Sequence, residues 1–355
     1  MLHRIVCALT VVLLAAPLIS QSAGEAPRAH AVPPLKPGTL APPLRAQRWL
    51  SELSVPRFEA GKVYVLDFLA TSSNVARRNA PWMARLRGKY AGKVQFVGSA
   101  CETERDNKFD ELQRLAAERP ELFDYPIAWD GEGHAFHAYF EASGVGAFPC
   151  SFVIDRERRV AFFGHSRLLD DVLEEVVAGR WDLEKGNARA AAAWKLNLAL
   201  LSRYQQEPEA ALTEIRDFVD REGFGGVFCS LRYQAFRSTQ QDARAAEVCG
   251  PLIEELLFTG DFESLNDMAW CIADPANDCK PRDVELALRA AQRAVELTKQ
   301  QDFAPLDTLA RCWAWKGDFA KALSLEEHAI ALAPAEYLPD LQRALDEYRA
   351  KTAKK

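Results

Sequence analysis

The sequence predicts an α/β domain, with a central mixed sheet flanked by helices, followed by an all-α domain of helical repeats. From residue 45 to about residue 182, short β-rich runs alternate with segments of helical periodicity. From about Asn187 onward, Ala, Leu, Glu, Arg and Gln dominate and β-branched runs disappear. The length of 355 residues also favours two domains. We therefore assign residues 45–185 to the α/β domain and residues 186–355 to the helical domain.

The chain begins with the pattern of a secretory signal peptide. Arg4 supplies a positive start, residues 5–19 are uncharged and mostly apolar, and Ser20 and Ser22 are the small residues that precede a cleavage site. We expect residues 1–22 to be removed and the mature protein to be periplasmic or extracellular. An uncleaved anchor is the alternative.

The segments of the α/β domain follow a Pro-rich linker at residues 23–44. The last two strands are joined by a short charged turn and should form an antiparallel hairpin at the sheet edge. In the first helix, Trp82, Met83 and Leu86 can share one face. The predicted strands are 62–69, 94–98, 126–129, 150–154 and 160–163, and the predicted helices are 75–89, 109–117 and 168–177.

A repeat near the C-terminus indicates how the helical domain is organised. Ala287-Leu288 and Ala294 recur 35 residues later as Ala322-Leu323 and Ala329. A period near 34 residues, with helices in pairs, is typical of a tetratricopeptide-like array. Glu326 stands where that motif usually has an aromatic residue. An ordinary helical bundle is the alternative.

Composition excludes several functional classes. The chain has 44 Lys and Arg residues against 50 Asp and Glu residues, a net charge of −6, so nothing attracts nucleic acid in bulk. No apolar run reaches the roughly 20 residues of a membrane span, so we expect no integral span once the signal is removed. His134, His137 and His165 lack a metal-ligand cluster, and no phosphate loop is present. We therefore predict neither a metal site nor a cofactor.

Several ordered segments match one known family. They are Ala41–Leu44, Val65–Thr71, Arg77-Arg78 with Pro81, Val94–Gly98 and Phe148–Asp155. Over Leu35–Asp182 the chain resembles the thioredoxin-like TlpA/ResA/redoxin family of extracytoplasmic thiol-disulfide proteins. The resemblance implies a thioredoxin-like fold.

The family's catalytic motif is altered in this chain. Where the family has Trp-Ala-Thr-Trp-Cys-x-x-Cys, residues 69–76 read Leu-Ala-Thr-Ser-Ser-Asn-Val-Ala, so Ser73 and Ala76 replace the two cysteines. A hydroxyl cannot exchange with a disulfide, and alanine cannot resolve a mixed disulfide. We therefore expect no CxxC oxidoreductase activity. Ser73 is interpreted more simply as a helix N-cap.

The resemblance assigns two further features. Asp67 occupies the position of the family's buried acid, which transfers a proton to the resolving thiol; without that thiol it is either a retained ionisable group or a carboxylate held by local hydrogen bonds. Phe148-Pro149 matches the family's cis-proline turn. This turn exposes the backbone of the preceding residue to an extended peptide, so Phe148 and Pro149 are the predicted peptide-binding residues.

Seven cysteines follow the signal segment, so at least one is free or pairs with another molecule. In the family's strand order, Cys101 and Cys150 lie on the strands that flank the motif strand, roughly 10 Å apart, beyond easy disulfide reach. They are either packed small hydrophobes or a relocated reactive site. Cys271 and Cys279 are predicted to close an insertion loop with a structural disulfide.

Two functions follow from these features. The first is an exported thioredoxin-fold protein with a degenerate active site, which binds a protein or extended peptide and interacts further through its helical repeats. The alternative is an enzyme, a thiol-disulfide oxidoreductase or redoxin-type protein that uses Cys150, Cys101 or both.

Overall fold

The computed structural model describes residues 33–70, 74–102, 107–118, 120 and 123–353. The predicted signal peptide, residues 1–22, lies outside these residues, as do residues 23–32 of the linker. The chain divides into two compact units between Ala188 and Arg189. This point lies close to the boundary expected at residues 185 and 186.

The first unit is built on a six-stranded mixed sheet. The strands in chain order are β1 (Arg48–Trp49), β2 (Val63–Phe68), β3 (Val94–Cys101), β4 (Ile127–Asp130), β5 (Cys150–Ile154) and β6 (Val160–His165). Their spatial order is β1-β4-β3-β2-β5-β6. The three strands β2, β3 and β4 are parallel, whereas β1, β5 and β6 run antiparallel to their neighbours. The predicted edge hairpin is β5–β6, and the two-residue β1 was not predicted.

Helices cover the sheet as the sequence predicts. They are α1 (Asn74–Lys89), α2 (Phe109–Glu118) and α3 (Leu169–Val177). Trp82, Met83 and Leu86 of α1 are buried on one face, as predicted. A short π-helix, Phe136–Glu141, was not predicted. Its sequence offers too few turns for helical periodicity to emerge, and π-helices are rare.

Alternation along β2 sorts its side chains between the two faces of the sheet. Tyr64, Leu66 and Phe68 belong to the core cluster that includes Tyr139 of the π-helix. The intervening Asp67 therefore lies on the opposite face, where it contacts the side chain of Ser151 on β5.

Beyond Arg189, the described chain consists of helices and the loops between them. The helices are α4 (Leu183–Leu201, which crosses the unit boundary), α5 (Pro208–Glu222), α6 (Cys229–Ser238), α7 (Asp242–Val248), α8 (Gly250–Thr259), α9 (Phe262–Ala273), α10 (Val284–Leu297), α11 (Phe303–Trp315), α12 (Phe319–Leu332) and α13 (Leu338–Thr352). In the described chain, no helix combines the length and apolar character that crossing a membrane requires.

Aspartates define where four successive helices of this unit begin. In each case the carboxylate accepts a backbone N–H of the first turn, which satisfies a donor that has no partner within the helix. The capping residues are Asp261, Asp283, Asp302 and Asp318.

Successive helices from α9 to α13 pack against one another. The small residues of the sequence repeat are fully buried between them: Ala287, Ala294, Ala322 and Ala329. Small buried side chains allow the helices to approach closely, which gives the repeat a physical reason. The all-α character of this unit is confirmed, and its division into tetratricopeptide-like units stays a prediction.

The insertion loop differs from the prediction, because Cys271 and Cys279 are both free. The Cys271 thiol lies 3.1 Å from the Asp242 carbonyl, and the Cys279 thiol lies 3.7 Å from the Ile272 carbonyl, so the two point to different partners. Hydrogen bonds hold the loop instead. The guanidinium of Arg282 donates to three backbone carbonyls, those of Ile272, Asp274 and Asn277.

Candidate functional site

The altered motif lies between β2 and α1. Ser73 and the side chain of Ala76 lie outside the described part of the structure, so the replacement of both cysteines rests on the sequence. Helix α1 begins at Asn74 and has no acidic residue in its first turn. This position is the helix start at which a thiolate would be stabilised.

Asp67 is a buried carboxyl group, 4% exposed, at the centre of a hydroxyl network. It is the cross-strand partner of Ser151 on β5, whose Oγ donates a hydrogen bond to Asp67 Oδ1 at 2.6 Å. The Oγ of Ser166 lies 2.8 Å from the Oγ of Ser151. Burial raises the pKa of Asp67 to about 7, although Ser151 and the positive charge of Arg87 oppose the shift. Asp67 is therefore a carboxyl held by local hydrogen bonds whose pKa lies near neutrality, and a role in proton transfer stays a prediction.

The free energy of unfolding should depend on pH because Asp67 titrates near neutrality. Below the unfolded pKa of Asp67, near 4, both states hold the proton; between there and about pH 7 the folded state holds more, so stability falls as pH rises. Wild type should lose about 4 kcal/mol of stability between pH 4 and pH 8, and Asp67→Asn should remove this loss. Urea unfolding across this range measures it, with Asp110→Asn, at an exposed position of α2, as control. An unchanged slope in Asp67→Asn would contradict the assignment.

The Phe148-Pro149 turn enters β5 from the π-helix side, and its peptide bond is cis. The carbonyl of Pro149 accepts the backbone N–H of Ser166 at 3.4 Å. Among the described residues, the backbone N–H and C=O of Phe148 make no hydrogen bond. The main chain of Phe148 therefore retains one donor and one acceptor for a ligand.

A stack of three phenylalanine rings adjoins this turn. The ring centroids of Phe136 and Phe140 lie 4.8 Å apart, with an angle of 15° between the ring planes. The ring centroids of Phe140 and Phe148 lie 4.7 Å apart, with an angle of 16°. All three rings are partly buried against the core cluster. We call these residues the Phe stack. Sequence reasoning missed it because the π-helix that aligns Phe136 and Phe140 was itself not predicted.

Cys101 and Cys150 lie on β3 and β5, on either side of β2, as the resemblance implied. The β2–β5 register continues to place Phe68 opposite Cys150, so a buried phenylalanine stands on the strand between the two cysteines. Both thiols are free and buried. Burial raises the pKa of Cys101 to about 11 and that of Cys150 well above its usual value. The neutral thiol, a poor nucleophile, therefore predominates at both positions.

The rate of reaction with a thiol reagent should distinguish the partly exposed cysteine from the buried ones. Of the seven described cysteines, Cys229 alone is not buried. In protein lacking residues 1–22, we expect one thiol to react rapidly with Ellman's reagent at pH 7.5, and Cys229→Ser should remove that phase because access limits the others. Cys150→Ser is the matched control and should leave the phase intact. Loss of the fast phase in Cys150→Ser would show that Cys150 is reactive.

The histidines of this unit have separate local partners. The Nδ1 atoms of His134 and His137 lie 3.4 Å from Asp130 and 2.7 Å from Glu141, respectively. His165 is uncharged at neutral pH because burial lowers its pKa to about 3. Within the described ranges, no three His, Cys, Asp or Glu side chains are grouped to hold a metal ion.

Comparisons with known proteins give partial matches. Protein FixW from Rhizobium leguminosarum is 28% identical over 148 residues, which cover 41% of this chain and 67% of FixW. A solution structure of a thioredoxin-like protein in the oxidised form matches with 19% identity over 40% of this chain and 96% of that chain, at a TM-score of 0.34. A crystal structure of a thiol-disulfide isomerase from Corynebacterium glutamicum matches with 18% identity over 40% of this chain and 97% of that chain, at a TM-score of 0.33. No model of a known protein family matches. By the order and direction of its strands, the first unit has a thioredoxin-like fold.

Proposed function

We propose that this thioredoxin-fold protein binds an extended segment of a protein or peptide at the Phe148-Pro149 turn and does not catalyse disulfide exchange. The main chain of Phe148 carries the proposal. Its N–H and C=O have no hydrogen-bonding partner among the described residues, and they lie beside partly buried aromatic rings. An extended peptide offers a complementary carbonyl and N–H, which is how strand addition creates affinity.

The cysteines favour binding over catalysis. Ser73 and Ala76 leave the motif without a thiol, and burial keeps Cys101 and Cys150 neutral. The ring of Phe68 lies on the strand between these two cysteines, which opposes a disulfide between them. The alternative function, a redoxin-type enzyme that uses Cys150 or Cys101, requires one of these thiols to become accessible and ionised.

The helical unit and the amino terminus complete the proposal. The buried alanines of the repeat support a tetratricopeptide-like array, whose stacked helices provide an extended surface for a protein partner. The pattern of residues 1–22 supports export to the periplasm or the cell exterior. Sequencing the amino terminus of exported protein tests that step, and an intact Met1 would contradict cleavage.

Main-chain recognition can be tested from the peptide side without altering the protein. The probe is a fluorescein-labelled 12-residue peptide of Ser and Thr with Phe at its centre, and binding is followed by fluorescence anisotropy. We expect saturable binding that weakens about tenfold when the two central amides are N-methylated, because each loses a donor. N-methylation of two terminal amides is the control. Equal binding of all three peptides would exclude recognition through the main chain.

A further inference from the structure

The Phe stack ends at the same residue whose main chain is unpaired. Phe148 stacks on Phe140, and Phe140 contacts the buried ring of Phe68 at 6.4 Å, so the stack is anchored on the core of the sheet. Phe136 extends it along the π-helix. Apart from Phe140, no aromatic or cationic side chain among the described residues contacts the Phe148 ring. One face of the terminal ring is therefore without an aromatic partner.

We infer that the Phe stack makes this site selective for extended peptides with an aromatic side chain next to the segment that pairs with Phe148. The peptide main chain would hydrogen-bond to Phe148, and the aromatic side chain would add a fourth ring to the stack. Offset parallel rings attract one another beyond the apolar area that they bury. This inference rests on the proposed function and names its ligand class.

The geometry suits a flat ring better than an aliphatic group of equal size. The three rings are nearly parallel at 4.7–4.8 Å, the separation of offset-stacked pairs. The partly buried stack does not collapse into the core, since its anchor Phe68 already contacts Tyr139 and Phe152 there. The terminal face is thus held in place before a ligand arrives, which lowers the entropy cost of binding.

Two probes of matched size test the inference. One is the 12-residue Ser/Thr peptide with central Phe, and the other carries cyclohexylalanine at that position. We expect the Phe peptide to bind roughly three- to tenfold more tightly. Phe148→Leu keeps the main chain but removes the terminal ring, so it should abolish this preference while N-methylation still weakens binding. Phe140→Leu should reduce the preference. Phe163→Leu, another partly buried ring outside the stack, is the control and should preserve it.

The outcomes distinguish the inference from the proposed function. Equal or tighter binding of the cyclohexylalanine peptide, with N-methylation still harmful, would overturn aromatic selectivity and leave main-chain binding standing. Absence of binding by either probe would overturn both. A concentration-dependent dimer that Phe148→Leu dissociates would overturn the inference in another way, because a second copy of the chain would then cover the stack. Thermal unfolding of each variant verifies that it is folded.

Discussion

Wild-type protein should not accelerate the reduction of insulin by dithiothreitol above the protein-free rate, whereas Ser73→Cys/Ala76→Cys should accelerate it catalytically. The double substitution restores an attacking thiol at the start of α1 and a resolving thiol within its first turn. A helix N-terminus without acidic residues stabilises the attacking thiolate. The family resemblance implies that Asp67, whose pKa is about 7, would accept the proton of the resolving thiol. Insulin turbidity measures turnover.

Single substitutions separate the two thiol roles. Ser73→Cys alone should accumulate as a mixed disulfide with substrate and turn over poorly, because no thiol of the motif resolves it and release depends on dithiothreitol from solution. Ala76→Cys alone should be inactive. Wild-type activity that disappears in Cys150→Ser would instead establish the relocated-thiol enzyme. An inactive double variant would show that substitutions beyond Ser73 and Ala76 have also removed the catalytic environment.

The sequence predicted the sheet well because its strands carry strong local signals. The runs that became β2 and β5 are rich in β-branched and aromatic residues, and they are buried throughout. Two-residue β1 (Arg48–Trp49) carries no such signal. It is a strand only because its backbone pairs with β4, which is a tertiary contact.

The sequence identified the main residues of the candidate site but not the side chains that contact them. Asp67 and Phe148 could be assigned from family positions. Ser151 was available as a polar residue within an apolar strand, but its contact with Asp67 depends on the β2–β5 register. The Cys271–Cys279 disulfide was inferred from spacing alone, and spacing does not report side-chain direction. In the structure, the loop is held by the guanidinium of Arg282, which donates hydrogen bonds to backbone carbonyls of the loop.

Glu326→Gln should stabilise the helical unit at neutral and alkaline pH. Glu326 lies in α12 and is fully buried, at a position where the predicted tetratricopeptide-like motif would have an aromatic residue. Among the described residues, neither of its carboxyl oxygens has a hydrogen-bond partner of ordinary geometry, although the carboxyl of Asp307 lies close enough to favour its protonated form. Burial raises its pKa to about 9, the nearby negative charge of Asp307 adds to the shift, and Arg311 opposes it. The carboxyl is therefore held mainly in its neutral form at pH 7.

The sign of the pH effect follows from this shift. The folded state keeps the Glu326 proton up to about pH 9, whereas the unfolded chain releases it near pH 4.5. Between these values the folded state binds more protons, so stability declines as pH rises and the loss is complete above pH 9. An uncharged amide of similar shape does not titrate. The stability of Glu326→Gln relative to wild type should therefore rise by about 5 kcal/mol between pH 5 and pH 9.

Urea unfolding of full-length protein, followed by circular dichroism from pH 5 to pH 9, measures the difference between the two stability curves. The neighbouring Glu327→Gln is the matched control: its side chain is 56% exposed and pairs with Arg349, so its stability curve should follow wild type to within about 0.5 kcal/mol. The decisive quantity is the gap between Glu326→Gln and wild type, which should widen with pH because only the wild-type chain releases a proton from this position on unfolding. A gap that stays constant with pH would mean that Glu326 does not titrate between the folded and unfolded states, and that its burial is compensated by contacts other than proton binding.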